Sequence, residues 1–348
     1  MVRIKDIAEK AGVSIGTVDR VLHDRGEVAE KTRKRVLKIA DELHYTPNLA
    51  ASTLASKKSY NISALLPKGT GDNIFWNNHI EGIKNAVASL QPFSVNVRFY
   101  LFELNNEKEF VDQTKQLMQD GADAVIMAPV LKNESQEFCL QLDDKDIPYV
   151  FIDTFIKDTN CLAFIGEDAY QGGRIAANLI DFGLPEHKDI LIVNISKNLD
   201  NTQHLNSRNQ GFLSYFIDTG KNTGLKISVE LHSHAPDEVD QKLEPVFRNN
   251  PGIGAIMVSS AKTYTVAAYL ERKKMQNIIL VGYEVFDKNI QYMQKGYIDF
   301  LIRQRPHEQG VKAVEKLFQY LAHNRVPEKK EYQPVDIVNR ETLPLILN

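Results

Sequence analysis

Apolar residues in the first 45 positions recur at helical spacing in three short groups: Ile4, Ile7, Ala8 and Ala11; then Val18, Val21 and Leu22; then Val36, Leu37, Ile39, Ala40 and Leu43. The spacing predicts three short helices, with Gly12 ending the first and Ser14 capping the second. Pro47 and the following NLAASTLASKKS are small, polar and weakly helical, which is the composition of a conditional linker. Beyond Tyr60 the rhythm changes to apolar runs alternating with amphipathic helices: ISALLP, HIEGIKNAVASL, VNVRFYLF, EFVDQTKQLMQDG, ADAVIMAP and IPYVFID. The second half repeats it with DILIVNI, a helix from about Ser207 to Thr219, KISVELHS, GAIMVS, TVAAYLERKK and NIILVGYE. Strand, helix, strand with short connections predicts parallel sheets wound on both faces. Two such halves predict two similar lobes, with a ligand cleft at the carboxyl ends of the strands.

Charge sharpens the division. Residues 1–60 carry twelve Lys and Arg against eight Asp and Glu, a net +4, whereas the rest carry 30 against 37, a net −7. A basic head on an acidic body is expected where one part alone meets phosphates. Cys139 and Cys161 have no CxxC spacing and no crowd of histidines, so they read as reduced core thiols. Met1 runs directly into the polar VRIKDIAEK, and no apolar stretch is long enough to span a bilayer, so the expectation is a cytoplasmic protein with no membrane partner. There is no phosphate loop ending in Lys and Ser/Thr, no GxGxxG after the first strand, no HExxH and no GxSxG. His204, His232 and His234 read as loop histidines, since nothing completes a tetrahedral metal set. No enzyme, no metal and no cofactor is expected.

In the head, a helix, a three-residue turn at Gly12 and a second helix form the geometry that lays a recognition helix in the DNA major groove. The stretch DIAEKAGVSIGTVDRVL followed by TRKRVLKIADELHYTPN closely resembles the lactose-repressor family of bacterial transcription regulators. The resemblance implies a helix-turn-helix head (1–47), a hinge helix or linker (48–60) and a two-lobed body of periplasmic-binding-protein type (61–348). It divides the body into lobe 1, about 61–165 and 299–326, and lobe 2, about 166–298 and 327–348. It further implies that Ile15, Gly16 and Arg20 face bases, that Ser14, Thr17 and Thr32 meet phosphates, and that Asn48 makes a contact at the start of the hinge. Leu54 falls where the family wedges a leucine into the minor groove, kinking the duplex onto more protein surface. Arg20 suits guanine, and Ile15 suits a thymine methyl. Asp19 and Ala29 depart from the family's usual Ser and hydroxyl, so the operator sequence does not carry over.

The likeness continues more loosely through NSRNQGF, LVGYE, IRQRPHEQG and VDIVNRETLP. It implies that Arg208 binds the effector, with its guanidinium clamping sugar hydroxyls or a carboxylate. It brings in Asp153 and, at the matching place in the second lobe, Glu284, with Ser260 and Gln304 near them and Phe75 and Trp76 stacking on a sugar face. The implied partners are double-stranded operator DNA, a sugar or sugar acid, and a second copy in a homodimer that associates with the nucleoid when on DNA. Effector binding would close or twist the lobes and so change the spacing of two DNA heads. A cytoplasmic solute-binding protein of the same body is the alternative from another class; the intact head argues against it.

Overall fold

The computed structural model describes residues 2–22, 26–43, 45, 58–69, 75–104, 106–196, 203–221 and 224–347. The chain divides into two compact units, Met1–Lys58 and Ser59–Asn348. In the first, α1 (Ile4–Ala11), α2 (Ile15–Leu22) and α3 (Glu30–Glu42) bury one small core of Ile7, Ala8, Ala11, Val18, Val21, Val36, Ile39 and Ala40. Gly12 adopts the left-handed conformation (φ 63°) that closes α1, and its N–H reaches the carbonyls of Ala8 and Glu9. The Thr17 N–H donates to Ser14 Oγ at 3.1 Å, so Ser14 satisfies an otherwise orphaned donor at the start of α2.

The second unit contains two sheets. The first holds β1 (Tyr60–Pro67), β2 (Val95–Phe102), β3 (Ala124–Met127), β4 (Tyr149–Ile152) and β5 (Ala163–Gly166). The second holds β6 (Asp189–Ile195), β7 (Lys226–Leu231), β8 (Ile253–Val258), β9 (Ile279–Tyr283) and β10 (Phe300–Arg303). The short strands β11 (Lys330–Tyr332) and β12 (Asp336–Val338) complete them. The orders are β11-β5-β4-β3-β1-β2, all parallel, and β12-β10-β9-β8-β6-β7, parallel except for β12. Runs such as AVIM and YVFI are buried at every position, as expected of strands covered on both faces.

The helices that cover them are α4 (Phe75–Ser89), α5 (Glu107–Asp120), α6 (Lys132–Asp143), α7 (Ala169–Gly183), α8 (Gln203–Thr219), α9 (Pro236–Asn249), α10 (Thr263–Arg272), α11 (Asp287–Gln294) and α12 (Pro306–His323). The chain passes between the lobes three times: after β5, after β10 and after β11. This corrects the lobe limits read from the sequence. Phe300–Arg303 pairs with β9 in the second sheet, and Lys330–Tyr332 pairs with β5 in the first. Strands of four and three residues are too short for their sequence to reveal which sheet they join.

Two helix pairs are held by reciprocal glycines. A Cβ on Gly173 would lie 1.9 Å from the Arg208 carbonyl oxygen, and one on Gly211 would lie 1.8 Å from that of Tyr170, so α7 and α8 touch backbone to backbone. In the other lobe Gly82 lies against the His307 carbonyl and Gly310 against that of His79, bringing α4 and α12 together in the same way. These contacts set the depth of Arg208 and His79.

Candidate functional site

On α2, Val18 and Val21 point into the core of the head, which leaves Ser14, Ile15, Gly16 and Arg20 exposed and Thr17 half-buried. Ile15 is 53% exposed, an unusual setting for an isoleucine on so small a unit and a suitable one for reading a methyl group. Arg20 Nε donates to the Gly16 carbonyl at 3.2 Å, which aligns its guanidinium along the helix. The Ser14 and Thr17 hydroxyls lie 2.9 Å apart, and Thr32 sits half-buried in the first turn of α3. Asn48 and Leu54 lie outside the described residues.

In the body, polar side chains occupy the residue immediately past successive strands: Asp153 after β4, Glu167 after β5, Ser259 after β8, Glu284 after β9 and Gln304 after β10. Asp153 and Glu284 are placed alike. Each has positive φ (64° and 65°), and each donates its N–H to the neighbouring strand, at Ile165 and Ile302. The left-handed turn is costly for a non-glycine residue and recurs at binding sites.

Arg208, 2% exposed, anchors the second lobe's side. Its Nη2 donates to Glu167 Oε2 at 2.5 Å, its Nη1 to the Ser259 carbonyl at 2.7 Å, and its guanidinium lies 3.6 Å from the centre of the Tyr283 ring. Arg208 Nε, Glu167 Oε1, Tyr283 Oη and His204 Nδ1 are buried atoms with no hydrogen-bond partner among the described residues. Buried polar groups are ordinarily paired, so four orphans around one guanidinium mark a place where a polar ligand or water belongs. Gln309 ties the lobes' connections to this region. Its Oε1 accepts from the Asp153 N–H at 3.1 Å and lies 3.2 Å from His79 Nε2, while its Nε2 donates to the Gln304 carbonyl at 3.1 Å.

Burial dominates the electrostatics. It pushes Asp153 up to about 6 and Glu284 up to about 8, against the opposing pull of Arg208. Burial also raises Glu167, although Arg208 beside it favours the charged form. His79 is pulled down to about 4 and His204 to about 3 by burial, the latter also by the Arg208 charge, so both imidazoles are neutral at pH 7.

The sequence reading thus needs two corrections and some additions. Trp76 is 4% exposed, packed in the first lobe's core and stacked on His79, because positions three apart on α4 point inward together. Phe75 alone remains half-buried, edge-on to Phe286 of the second lobe at 6.4 Å. Arg208 is already engaged by Glu167 and the Ser259 carbonyl, partners that the sequence reading did not foresee. His204 lies on α8, which starts at Gln203, and not in a loop. Ser260 is half-buried, with its Oγ accepting from the Lys262 N–H at 3.4 Å. Glu167, Tyr283 and Gln309 were missed. Glu167 had a legible signal, because it follows its strand as Asp153 and Glu284 follow theirs.

The geometry defines a two-lobed binding body that shares a chain with a helix-turn-helix head. A model described as the periplasmic binding protein domain matches residues 63–325, and one described as bacterial regulatory proteins, lacI family, matches residues 3–48. The chain belongs to the lacI family of bacterial regulatory proteins, DNA-binding transcription regulators. It is 26% identical to the ribose operon repressor of Lactococcus lactis over 99% of its own length and 98% of that protein's. To the HTH-type transcriptional regulator RegA of Clostridium saccharobutylicum it is 32% identical over 66% of its own length and 64% of the relative's. Among solved structures it resembles one described as a LacI transcriptional regulator from Bacteroides fragilis (TM-score 0.74, 25% identity, 83% of this chain and 99% of that one). It shares its fold with a solute-binding protein from Agrobacterium vitis bound with α-D-tagatopyranose (TM-score 0.71, 20% identity, 82% and 96%). No helix among the described residues is long and apolar enough to cross a membrane.

Proposed function

We propose that the chain is a homodimeric, cytoplasmic repressor whose grip on a two-half-site operator is set by a sugar held between the lobes. The observation that carries this reading is the cluster around Arg208, where four buried polar atoms, two from strand ends (Glu167 and Tyr283) and two from α8 (Arg208 and His204), find no partner among the described residues. Hydroxyl groups supply both donors and acceptors, so a polyol can satisfy such atoms without bringing a charge into a buried place. Ser14, Ile15, Gly16, Thr17, Arg20 and Thr32, with Asn48 and Leu54 of the hinge, carry the DNA contact. Asp153, Arg208, Glu284 and Gln304, with Phe75 and Ser260 at the margins, carry the sugar. Two copies are needed because half-sites one helical turn apart require two recognition helices. The names of the ribose operon repressors among the relatives favour a sugar as the controlling ligand.

The test selects operator fragments from random DNA with the full chain, then measures affinity for them with and without D-ribose, D-allose, D-tagatose and L-arabinose. At least one sugar should change operator affinity by about fivefold or more and raise the melting temperature of the body. Failure to enrich any sequence would remove the regulator reading. Enrichment with no response to any sugar would remove the effector reading alone.

A further inference from the structure

The carboxyls around Arg208 outnumber its charge. Glu167 holds the guanidinium at 2.5 Å with both side chains almost wholly buried, and Asp153 and Glu284 stand close enough for Arg208 to act on each. Among the described residues, the charges named as acting on Asp153, Glu167 and Glu284 are those of Arg208 and of neighbouring acids. The ion pair is built into the fold. Glu167 Oε1 occupies the space a Cβ on Gly172 would fill, 1.8 Å from that position, so Gly172 cradles the carboxylate against the start of α7. An arginine so engaged has its charge compensated within the protein before any ligand arrives, and an incoming carboxylate must compete with Glu167 in a low-dielectric place.

Accepting the sugar-binding reading above, we propose that Glu167 makes the cleft selective by charge: by neutralising Arg208 it admits neutral or ammonium-bearing sugars and excludes uronates and sugar phosphates. This goes against the sugar-acid option the sequence left open. Glu167 is a positioning residue here, acting through Arg208. Asp153, ionised at pH 7.5, receives ligand donors, hydroxyl or ammonium, while Glu284 still holds its proton there and offers a neutral carboxyl. The burial that raises the proton affinity of both carboxyls also disfavours a further negative charge beside them.

The test uses matched series in which carbon 6 carries CH2OH, COO⁻ or CH2NH3⁺ on gluco, galacto and allo frames, titrated calorimetrically into the unmodified full chain at pH 7.5. On the frame that binds best, the uronate should be weaker than the neutral sugar by about 100-fold or more, the scale expected of like-charge juxtaposition, and the amine should bind at least as well. A uronate that binds as tightly as its neutral partner overturns the inference while the sugar-effector reading stands. Binding by no member of any series overturns the inference, and the sugar-effector reading falls with it only if D-ribose, D-tagatose and L-arabinose also fail to bind. The wild-type series decides without any variant, so a poorly folding mutant does not blunt it. In Glu167→Gln the ratio of neutral to uronate affinity should fall at least about tenfold, which a purely structural role for Glu167 would not produce, because loss of fold weakens both ligands together.

Discussion

Gly211→Ala tests whether the glycine contact between α7 and α8 sets the position of Arg208. The new methyl would lie 1.8 Å from the Tyr170 carbonyl oxygen and 2.7 Å from its carbonyl carbon, and both atoms are backbone, so no rotamer change relieves the clash. Restoring a contact of about 3.5 Å requires the helices to part by roughly 1.5 Å. Overpacking of this kind costs about 1–3 kcal/mol, a few degrees of melting temperature for a unit of this size. The same displacement moves α8 away from Glu167, which lies just before α7, and from Ser259 at the end of β8. The hydrogen bonds of Arg208 at 2.5 and 2.7 Å do not survive a shift that large. The variant should therefore melt lower and lose sugar binding by more than its lost stability explains, while the head retains its affinity for non-operator DNA. Gly173→Ala, which strikes the Arg208 carbonyl from the opposite helix, should reproduce both effects. Differential scanning calorimetry and sugar titration measure them side by side. A Gly211→Ala protein with parental melting and parental sugar affinity would refute the argument that this backbone contact holds the site.

Arg20→Ala should weaken binding to the selected operator by about 1–3 kcal/mol while barely changing affinity for random DNA; equal losses on both would reassign Arg20 to phosphate. The pH dependence of stability has a limb for each kind of buried group. Glu284 keeps its proton in the native state up to about 8, whereas the unfolded chain releases it in the ordinary carboxylate range, so its contribution is full at acid pH and is lost as pH rises through about 8. Between about pH 6.5 and 8 stability should fall by about 1.4 kcal/mol per unit, and Glu284→Gln should flatten that limb in urea titrations. His79 and His204, neutral in the native state down to about 4 and 3, add stability above 6.5 that is lost as pH falls below it. His79→Gln should make the acid limb shallower by about one proton's worth, and an unchanged slope would mean that the ring is charged when buried.

The amphipathic periods of α1, α2 and α3 and the uninterrupted apolar runs of β3 and β4 were legible in the sequence because one local pattern decides each. The short strands were not. Lys330–Tyr332 has no apolar run at all, and it joins the first sheet only because β5 offers an edge after the chain has crossed back. Trp76 misled because an aromatic residue just after a strand suits both a sugar face and a core, and the choice falls to the helix phase that also buries His79 and Gly82. Glu167 is the instructive omission. Read alone, FIGED looks like the start of a loop; read with FID at Asp153 and GYE at Glu284, it is the third acid placed one residue beyond a parallel strand. The carboxyl ends of such strands converge on the cleft, so that position, more than residue type or helix proximity, determines which charged groups meet. The same rule gives Gln304 and Ser259, and it explains why Arg208, on a helix and not at a strand end, reaches the cluster only because two glycines let α8 sink against α7. A sequence reader who marks the residue after every parallel strand, and then looks for a glycine within the helices that follow, would place the guanidinium among its acids: Gly173 lies four residues after the start of α7 at Ala169 and Gly211 three after Arg208, each on the face where its partner's backbone approaches.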